Sequence, residues 1–333
     1  MEEIKMNNFV SADMGYGWTK AVAGERYFSQ PSVVGDARQL MEEQRKPGDL
    51  IYHGDDGDFF IGDLALRQSK IRYTSTGEDK TDTWTTAVLL KTLLARLAPT
   101  GASNIITGLP VDYYLTQKNG FVHLFDTINE SGRYSVEVVG QGTIHANPLI
   151  AKHKIVPQPF GSAMDYLLAD DGSLARPDAA KKPMLVIDIG YYTLDLLELE
   201  GMEIGKNSRS PRNLGVDTAY DLLNGYLMES IGRAPERFEL DRYVLAGEYA
   251  GYDIKPLVDR AFRSLAQQIL LEIESQSAYY ATYLLTGGSA SFIAKYIDLP
   301  NVVALDNPQF GNVRGYGKIG ARLWANKSVS ARR

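Results

Sequence analysis

The chain has 333 residues, 44% of them hydrophobic and 23% charged, and its 35 Lys and Arg against 41 Asp and Glu give a formal net charge of −6. That length passes the roughly 250–300 residues at which one core stops growing, so two domains are expected, and the acidic balance argues against broad direct binding to nucleic acid. With no cysteine there is neither a disulfide framework nor a thiolate metal site, and the lack of a membrane-spanning apolar run or of a signal-peptide pattern in MEEIKMNN makes a cytoplasmic protein the expectation.

The first informative stretch is NFVSADMGYGWTK, residues 8–20, where an apolar run ends at Asp13 and a glycine-rich turn leads to Lys20 and a second short run, Ala21-Val22-Ala23. Strand, tight turn, strand is the natural parse. Gly15 and Gly17 let the backbone N–H groups of Met14, Gly15, Tyr16 and Gly17 turn toward an anion, and Lys20 adds a mobile positive charge. Asp13 contacts phosphate favourably only through a cation, which makes it a candidate for the water shell of Mg²⁺. The spacing matches neither the P-loop nor the Rossmann fingerprint, and by itself the stretch reads equally as an ordinary hairpin.

Residues 27–50 read as irregular. Leu50–His53 and Phe59–Gly62 flank the acidic turn Gly54-Asp55-Asp56-Gly57-Asp58, a hairpin without EF-hand spacing. A short helix over 63–73 and an amphipathic helix from near Asp82 to Pro99, with Ala87, Leu90, Leu94 and Leu97 on one face, follow. Ile105-Ile106 and Thr107-Gly108-Leu109-Pro110-Val111 read as a buried strand leaving through a Gly-Pro turn. From there to Asn147 the pattern is mixed, and the isolated His123 and His145 have no partner at ligand spacing. KIVPQPFGSAMDYLL, residues 154–168, predicts a short strand, a Pro-Gln-Pro corner and a helix opening at Gly161. Gln158, restrained between two prolines, is either part of a simple turn or an amide fixed to orient a water.

After a loop over 170–183, MLVIDIGYYTLDLLELE at 184–200 repeats the first hairpin. A β-branched run ends in Asp188-Ile189-Gly190, turns through Tyr191-Tyr192-Thr193 and returns as a strand through Asp195. The echo, slightly more than half a chain later, predicts two similar halves, each offering one Asp-ended hairpin to a shared cleft. Gly215 and Asp217 introduce an apolar helix, residues 254–275 form a helix with one buried face, and Tyr283–Ala290 predicts a strand and the double glycine Gly287-Gly288, followed by a helix through Phe292, Ile293 and Tyr296 whose N-terminus adds positive partial charge. A glycine-rich turn over 307–320 precedes the final helix, and KSVSARR closes the chain with a small basic tail.

Asp-x-Gly-x-Gly-x-x-Lys at 13–20, Thr-Gly-Leu-Pro at 107–110, Gln-Pro-x-Gly at 158–161, Asp-x-Gly-x-x-Thr-x-Asp at 188–195 and Leu-Thr-Gly-Gly-Ser at 285–289 occur in this order. Together they resemble the phosphate-1, connect-1, phosphate-2 and adenosine motifs of the actin-like ATPase superfamily. Tyr-Tyr-Thr-Leu-Asp at 191–195, Gly-Asp-Leu-Ala at 62–65 and Asn-Val-Arg-Gly-Tyr at 312–316 look most like the ParM/StbA plasmid-segregation actins and their archaeal relatives. Gln158 is a departure, because ParM and the cell-shape actins usually carry glutamate there.

The resemblance implies an α/β, actin-like (ribonuclease H-like) duplicated two-domain fold with a nucleotide cleft between domains, domain I over 1–165 plus 310–333 and domain II over 166–309. It implies Mg²⁺ with ATP or ADP, GTP being possible. The backbone of 14–17 and 190–193 would cradle phosphates, Lys20 would neutralise β- and γ-oxygens, Asp13 and Asp188 would hold the metal's water, and Gln158 would align the attacking water. Gly215, Asp217, Gly287, Gly288 and Ser289 would border the nucleoside. The implied protein is a nucleotide-hydrolysing filament former that contacts its own kind head to tail and reaches DNA through a basic adaptor, with no membrane partner. Two alternatives stay open: a non-polymerising phosphotransferase of the sugar-kinase kind, and a chaperone-like ATP-binding module.

Overall fold

The computed structural model describes residues 9–55, 57–74, 84–211, 213–275 and 278–325. The expected helix start at Asp82, Asp56 of the acidic turn and the basic tail lie outside the described residues. The chain forms two compact units, Met1–Arg176 with Asn312–Arg333, and Pro177–Gly311.

The first unit runs β1 (Phe9–Met14), β2 (Trp18–Ala23), β3 (Arg26–Pro31), β4 (Val33–Asp36), β5 (Leu50–Gly54), β6 (Gly57–Ile61), α1 (Asp63–Gln68), β7 (Arg72–Thr74), α2 (Trp84–Leu97), β8 (Thr100–Leu109), α3 (Val111–Glu130), β9 (Tyr134–Val138), β10 (Gly142–Pro157) and α4 (Gln158–Leu167). Its sheet has the order β3-β2-β1-β8-β10-β9-β5-β6-β4-β7. β1 is antiparallel to β2 and parallel to β8. Alternation along β1 sends Val10, Ala12 and Met14 into a core shared with Leu89, Leu90, Leu93 and Leu94 of α2 and Phe121 and Phe125 of α3. The same alternation puts Ser11 and Asp13 on the opposite face.

The second unit runs α5 (Pro177–Ala180), β11 (Met184–Ile189), β12 (Leu194–Glu200), β13 (Glu203–Ile204), α6 (Val216–Ile231), α7 (Leu240–Ala246), β14 (Glu248–Tyr249), β15 (Tyr252–Asp253), α8 (Lys255–Glu274), β16 (Thr282–Thr286), α9 (Ala290–Ile293) and β17 (Val302–Ala304). Its main sheet is ordered β13-β12-β11-β16-β17. That repeats β3-β2-β1-β8-β10 strand for strand, with an antiparallel hairpin followed by a parallel third strand. The duplication expected from the two Asp-ended runs is therefore present in the topology. Ala261, Phe262, Leu265, Ile269 and Ile273 of α8 form the buried stripe that the sequence predicted, packed with Ala219, Tyr220 and Leu223 of α6.

Several local expectations change, beginning with the short helix expected over 63–73, which ends at Gln68 and gives way to β7 from Arg72. Residues 27–50 include β3 and β4 rather than only irregular chain. The mixed region after Val111 contains the 20-residue helix α3; its mid-helix Asn119-Gly120 mimics a turn signal, but burial of Phe121, Leu124, Phe125 and Ile128 outweighs that local preference. α4 opens at Gln158, three residues before Gly161, because Pro159 in the first helical turn lacks an N–H where none is needed. The glycine-rich stretch near the C-terminus is itself a helix, α10 (Gly311–Gly320).

The glycines of α10 allow close approach to α4. A Cβ on Gly315 would lie 1.7 Å from the Gly161 carbonyl oxygen, and one on Gly161 would lie 2.6 Å from that of Asn312. Asn312 Oδ1 accepts from the Ser162 hydroxyl at 2.7 Å. Asp165 receives Arg314 Nη2 at 2.6 Å and Lys318 Nζ at 2.9 Å. Losing a buried carboxylate strands its cations, and partial exposure of Arg314 tempers that cost. Asp165→Ala should lower unfolding stability by about 2 kcal/mol, read as a shifted urea midpoint at unchanged slope; an unchanged midpoint would remove Asp165 from the set of residues that hold α10.

Candidate functional site

In the first unit the site is built at the end of β1. Asp13 and Lys20 are cross-strand partners in the β1–β2 hairpin, and both are buried. A buried charge needs a partner of opposite sign or a full set of hydrogen bonds, and this register brings carboxylate and ammonium to one face of the hairpin. Only glycine fits at 15, because a Cβ there would meet the Trp18 carbonyl oxygen at 2.7 Å. Ser32 pins the turn from behind: its hydroxyl donates to Gly15 O at 2.6 Å, and its N–H donates to Gly17 O at 2.9 Å. Met14 turns its side chain into the core, leaving its main chain for the turn, and Tyr16 is half-buried at the tip.

Gln158 joins this hairpin. Its Nε2 donates to Asp13 Oδ1 at 2.7 Å. With the amide nitrogen committed to the carboxylate, the orientation of Oε1 is set as well, and Oε1 is an acceptor for a water proton. The pair lies beside β8, whose Gly108 leaves room for it: a Cβ there would sit 2.9 Å from Gln158 Cγ and 1.9 Å from the Tyr316 hydroxyl oxygen. The fold thus gathers Asp13, Lys20 and Gln158 into one small buried cluster; Ser32, which supports it, stands in no motif, and the motifs that contain Gly108 and Tyr316 do not reveal their packing role.

In the second unit Asp188 ends β11 between Asp195 of β12 and Thr286 of β16. The turn closes through the Gly190 N–H to Thr193 O, 2.9 Å. Asp195 occupies the position equivalent to Lys20 but works differently. It accepts from the Thr193 hydroxyl at 3.1 Å and from the Ser210 hydroxyl, so it anchors the turn and offers no cation to a phosphate. Gly287, at φ +96°, packs on the same strand end; a Cβ would meet Ile189 O at 2.3 Å and Asp188 Oδ1 at 2.7 Å. Gly288 borders open space, and Ser289 is buried. The helix expected through Phe292, Ile293 and Tyr296 is α-helical only in the four residues of α9 and continues as a 3-10 turn to Tyr296, too short an α-helix to present the dipole that the sequence suggested.

Gly215 and Asp217 lie against the same turn. The N–H groups of Val216 and Asp217 donate to Gly190 O at 3.1 Å and Tyr191 O at 2.9 Å, so the start of α6 is docked onto the turn by its own otherwise unsatisfied donors. A Cβ on Gly215 would come within 2.3 Å of Tyr191 O. Asp217 Oδ1 accepts from Arg237 Nη1 at 2.7 Å, and Arg237 also pairs with Asp221. Burial pushes the Asp217 carboxyl above the usual carboxylate range, and the Arg237 guanidinium opposes that shift. The rings of Tyr191 and Tyr192 meet nearly edge-on at 4.7 Å. Burial raises both phenols, so they add no negative charge beside the turn near neutral pH.

Among the described residues no three His, Cys, Asp or Glu side chains are grouped to hold a metal ion, and no helix is long and apolar enough to cross a membrane. A donor set of single carboxylates at strand ends suits Mg²⁺, which keeps most of its water and shares ligands with phosphates.

Residues 11–161 match the family described as actin like proteins, N terminal domain. No curated protein sequence matches the chain significantly. Among solved structures, psk41 ParM in the apo state is 21% identical with a TM-score of 0.71, covering 96% of this chain and 98% of that one. A 15-stranded ParM filament from Clostridium botulinum gives 20% and 0.74, with 95% and 99% covered. The archaeal actin homologue Ta0583 in complex with ADP gives 18% and 0.74, with 94% and 99% covered. Residues 11–161 thus carry an actin-like N-terminal domain, and the chain shares the actin-like fold of these solved structures along nearly its whole length.

Proposed function

We propose that this protein binds and hydrolyses a nucleoside triphosphate, ATP being the first candidate and GTP the second, and that the bound nucleotide governs assembly into a head-to-tail filament. The observation that carries the reading is the Asp13–Gln158 hydrogen bond beside Lys20, at the end of a strand that leads into a glycine turn. In this proposal the backbone of the turn at 14–17 and that of the turn at 190–193 contact phosphate oxygens. Gly215, Asp217, Gly287, Gly288 and Ser289 border the nucleoside. Asp13 and Asp188 would hold Mg²⁺ through its water, and the ion would neutralise charge on the phosphate oxygens.

Gln158 orients the water that attacks the γ-phosphorus. The bond from that phosphorus to the bridging oxygen breaks and its electron pair leaves with the diphosphate. An amide cannot take the proton near neutral pH, so the proton passes to a phosphate oxygen or to solvent. Lys20 balances charge on the β- and γ-oxygens throughout. The resemblance to a ParM filament and to an ADP-bound actin homologue supports the choice of nucleotide and of self-assembly. Non-closing head-to-tail contact generates an open helical polymer. On this reading the protein is a cytoplasmic, ParM-type segregation or cytoskeletal filament, and its negative charge calls for a basic adaptor to reach DNA.

Competition against a fluorescent ATP analogue tests the first step. ATP and ADP should displace it with Mg²⁺ present, and the ranking of GTP decides base preference. A protein that captures none of these would overturn the proposal. Nucleotide consumption that requires a small-molecule acceptor, without assembly, would replace it with a phosphotransferase.

A further inference from the structure

The side chain with the largest fully buried surface near Gln158 belongs to neither glycine turn. Tyr316, on α10, is 0% exposed. Its ring occupies the space left by two glycines: a Cβ on Gly108 would fall 1.9 Å from the Tyr316 hydroxyl oxygen, and one on Gly161 would fall 2.5 Å from Cε1 of its ring. The same Gly108 position is 2.9 Å from both Tyr316 Cζ and Gln158 Cγ. Phenol and amide stem therefore lie side by side over one glycine. The Tyr316 hydroxyl also donates to the Gln158 carbonyl oxygen at 3.3 Å, at the first residue of α4.

We infer that Tyr316, seated over Gly108, is a positioning residue for the Gln158 amide in the hydrolytic step. The inference rests on the reading of Gln158 given above. Gln158 has three rotatable side-chain bonds, and the hydrogen bond to Asp13 fixes only its tip. Orientation of a water within a few tenths of an ångström requires the stem to be fixed as well. The phenol supplies that wall on one side and ties the α4 backbone with its hydroxyl. α10 is in turn held by Asn312 on Ser162 and by Arg314 and Lys318 on Asp165, so the wall is backed by an ion-paired helix rather than by a loop.

Phosphate release at saturating Mg·ATP and equilibrium nucleotide affinity should be measured for the wild type, Tyr316→Phe, Gly108→Ala, Gln158→Ala and Tyr316→Phe/Gln158→Ala. Tyr316→Phe keeps the ring and should slow release roughly fivefold, the scale of one lost hydrogen bond, with nucleotide affinity unchanged. Gly108→Ala, which displaces both side chains, should slow it at least as much. In the Gln158→Ala background Tyr316→Phe should have no further effect, a non-additivity that a residue of purely structural role would not produce. Equal slowing by Tyr316→Phe with and without Gln158 would overturn the inference, as would normal release by Tyr316→Phe while Gln158→Ala is slow. Normal release by Gln158→Ala itself would instead remove the hydrolytic role of Gln158, and this inference with it.

Discussion

Gln158→Ala should lower the rate of phosphate release on the order of a hundredfold while leaving nucleotide affinity within about twofold. The argument is geometric. The amide is buried, and its nitrogen is given to Asp13 at 2.7 Å, so the residue has no freedom to serve as a general surface contact. What remains is a fixed acceptor, whose worth is realised when a water must be aligned and not when the nucleotide binds. The substitution therefore acts on the rate constant at saturation rather than on the dissociation constant. Gln158→Glu is the informative companion, since a carboxylate beside Asp13 restores an acceptor that can also take a proton but sets two negative groups together. Its activity should rise toward acid pH, where one carboxyl of the pair holds a proton. A tenfold or larger loss of affinity for Gln158→Ala would show that the side chain binds nucleotide directly and would displace the water-orienting role.

Lys20→Met should weaken binding of nucleoside triphosphate by about a hundredfold, the scale of a lost charge-assisted contact in a buried site. Methionine keeps most of the length and apolar volume of the stem, so the change isolates the ammonium. Because Asp13 is its cross-strand partner, removing the cation also leaves a buried carboxylate with less compensation, and the variant should be measurably less stable. The two effects separate by ligand. Loss of phosphate contacts falls most heavily on triphosphate, less on diphosphate and least on monophosphate, whereas destabilisation is the same with no nucleotide present. Equal loss for all three nucleotides would move Lys20 from the phosphate contacts to the architecture of the hairpin.

The hairpins were legible in the sequence for a physical reason. An apolar run that ends in Asp-x-Gly leaves few local alternatives to a strand entering a tight turn, and the second copy at 184–200 turned a weak signal into a repeat. The long helix α8 was equally plain, since its apolar residues keep one face through five turns. α3 was hidden because Asn119-Gly120 reads locally as a turn, while the burial that overrides it depends on Phe121 and Phe125 meeting distant strands. α10 was hidden for the opposite reason: its glycines suggest a turn, yet Gly315 is there so that helix can touch helix at Gly161. The same limit applies to the candidate site. Asp13, Lys20 and Asp188 stand in spaced motifs, but Ser32, Ser210, Tyr316 and Arg237 act through contacts that only the folded chain creates. The resemblance places Gly215 beside the nucleoside, and the fold adds a constraint that a one-dimensional pattern does not express: a Cβ there would meet the main chain of Tyr191.

The most direct test of the account is light scattering and phosphate release recorded together on the purified protein with Mg·ATP, Mg·GTP, ADP and a non-hydrolysable ATP analogue. The account predicts scattering that rises with triphosphate above a critical concentration and declines as phosphate appears, persists with the analogue, and stays low with ADP. Flat scattering with triphosphate bound would contradict it and leave a nucleotide-binding protein whose acceptor or client is something other than its own copies.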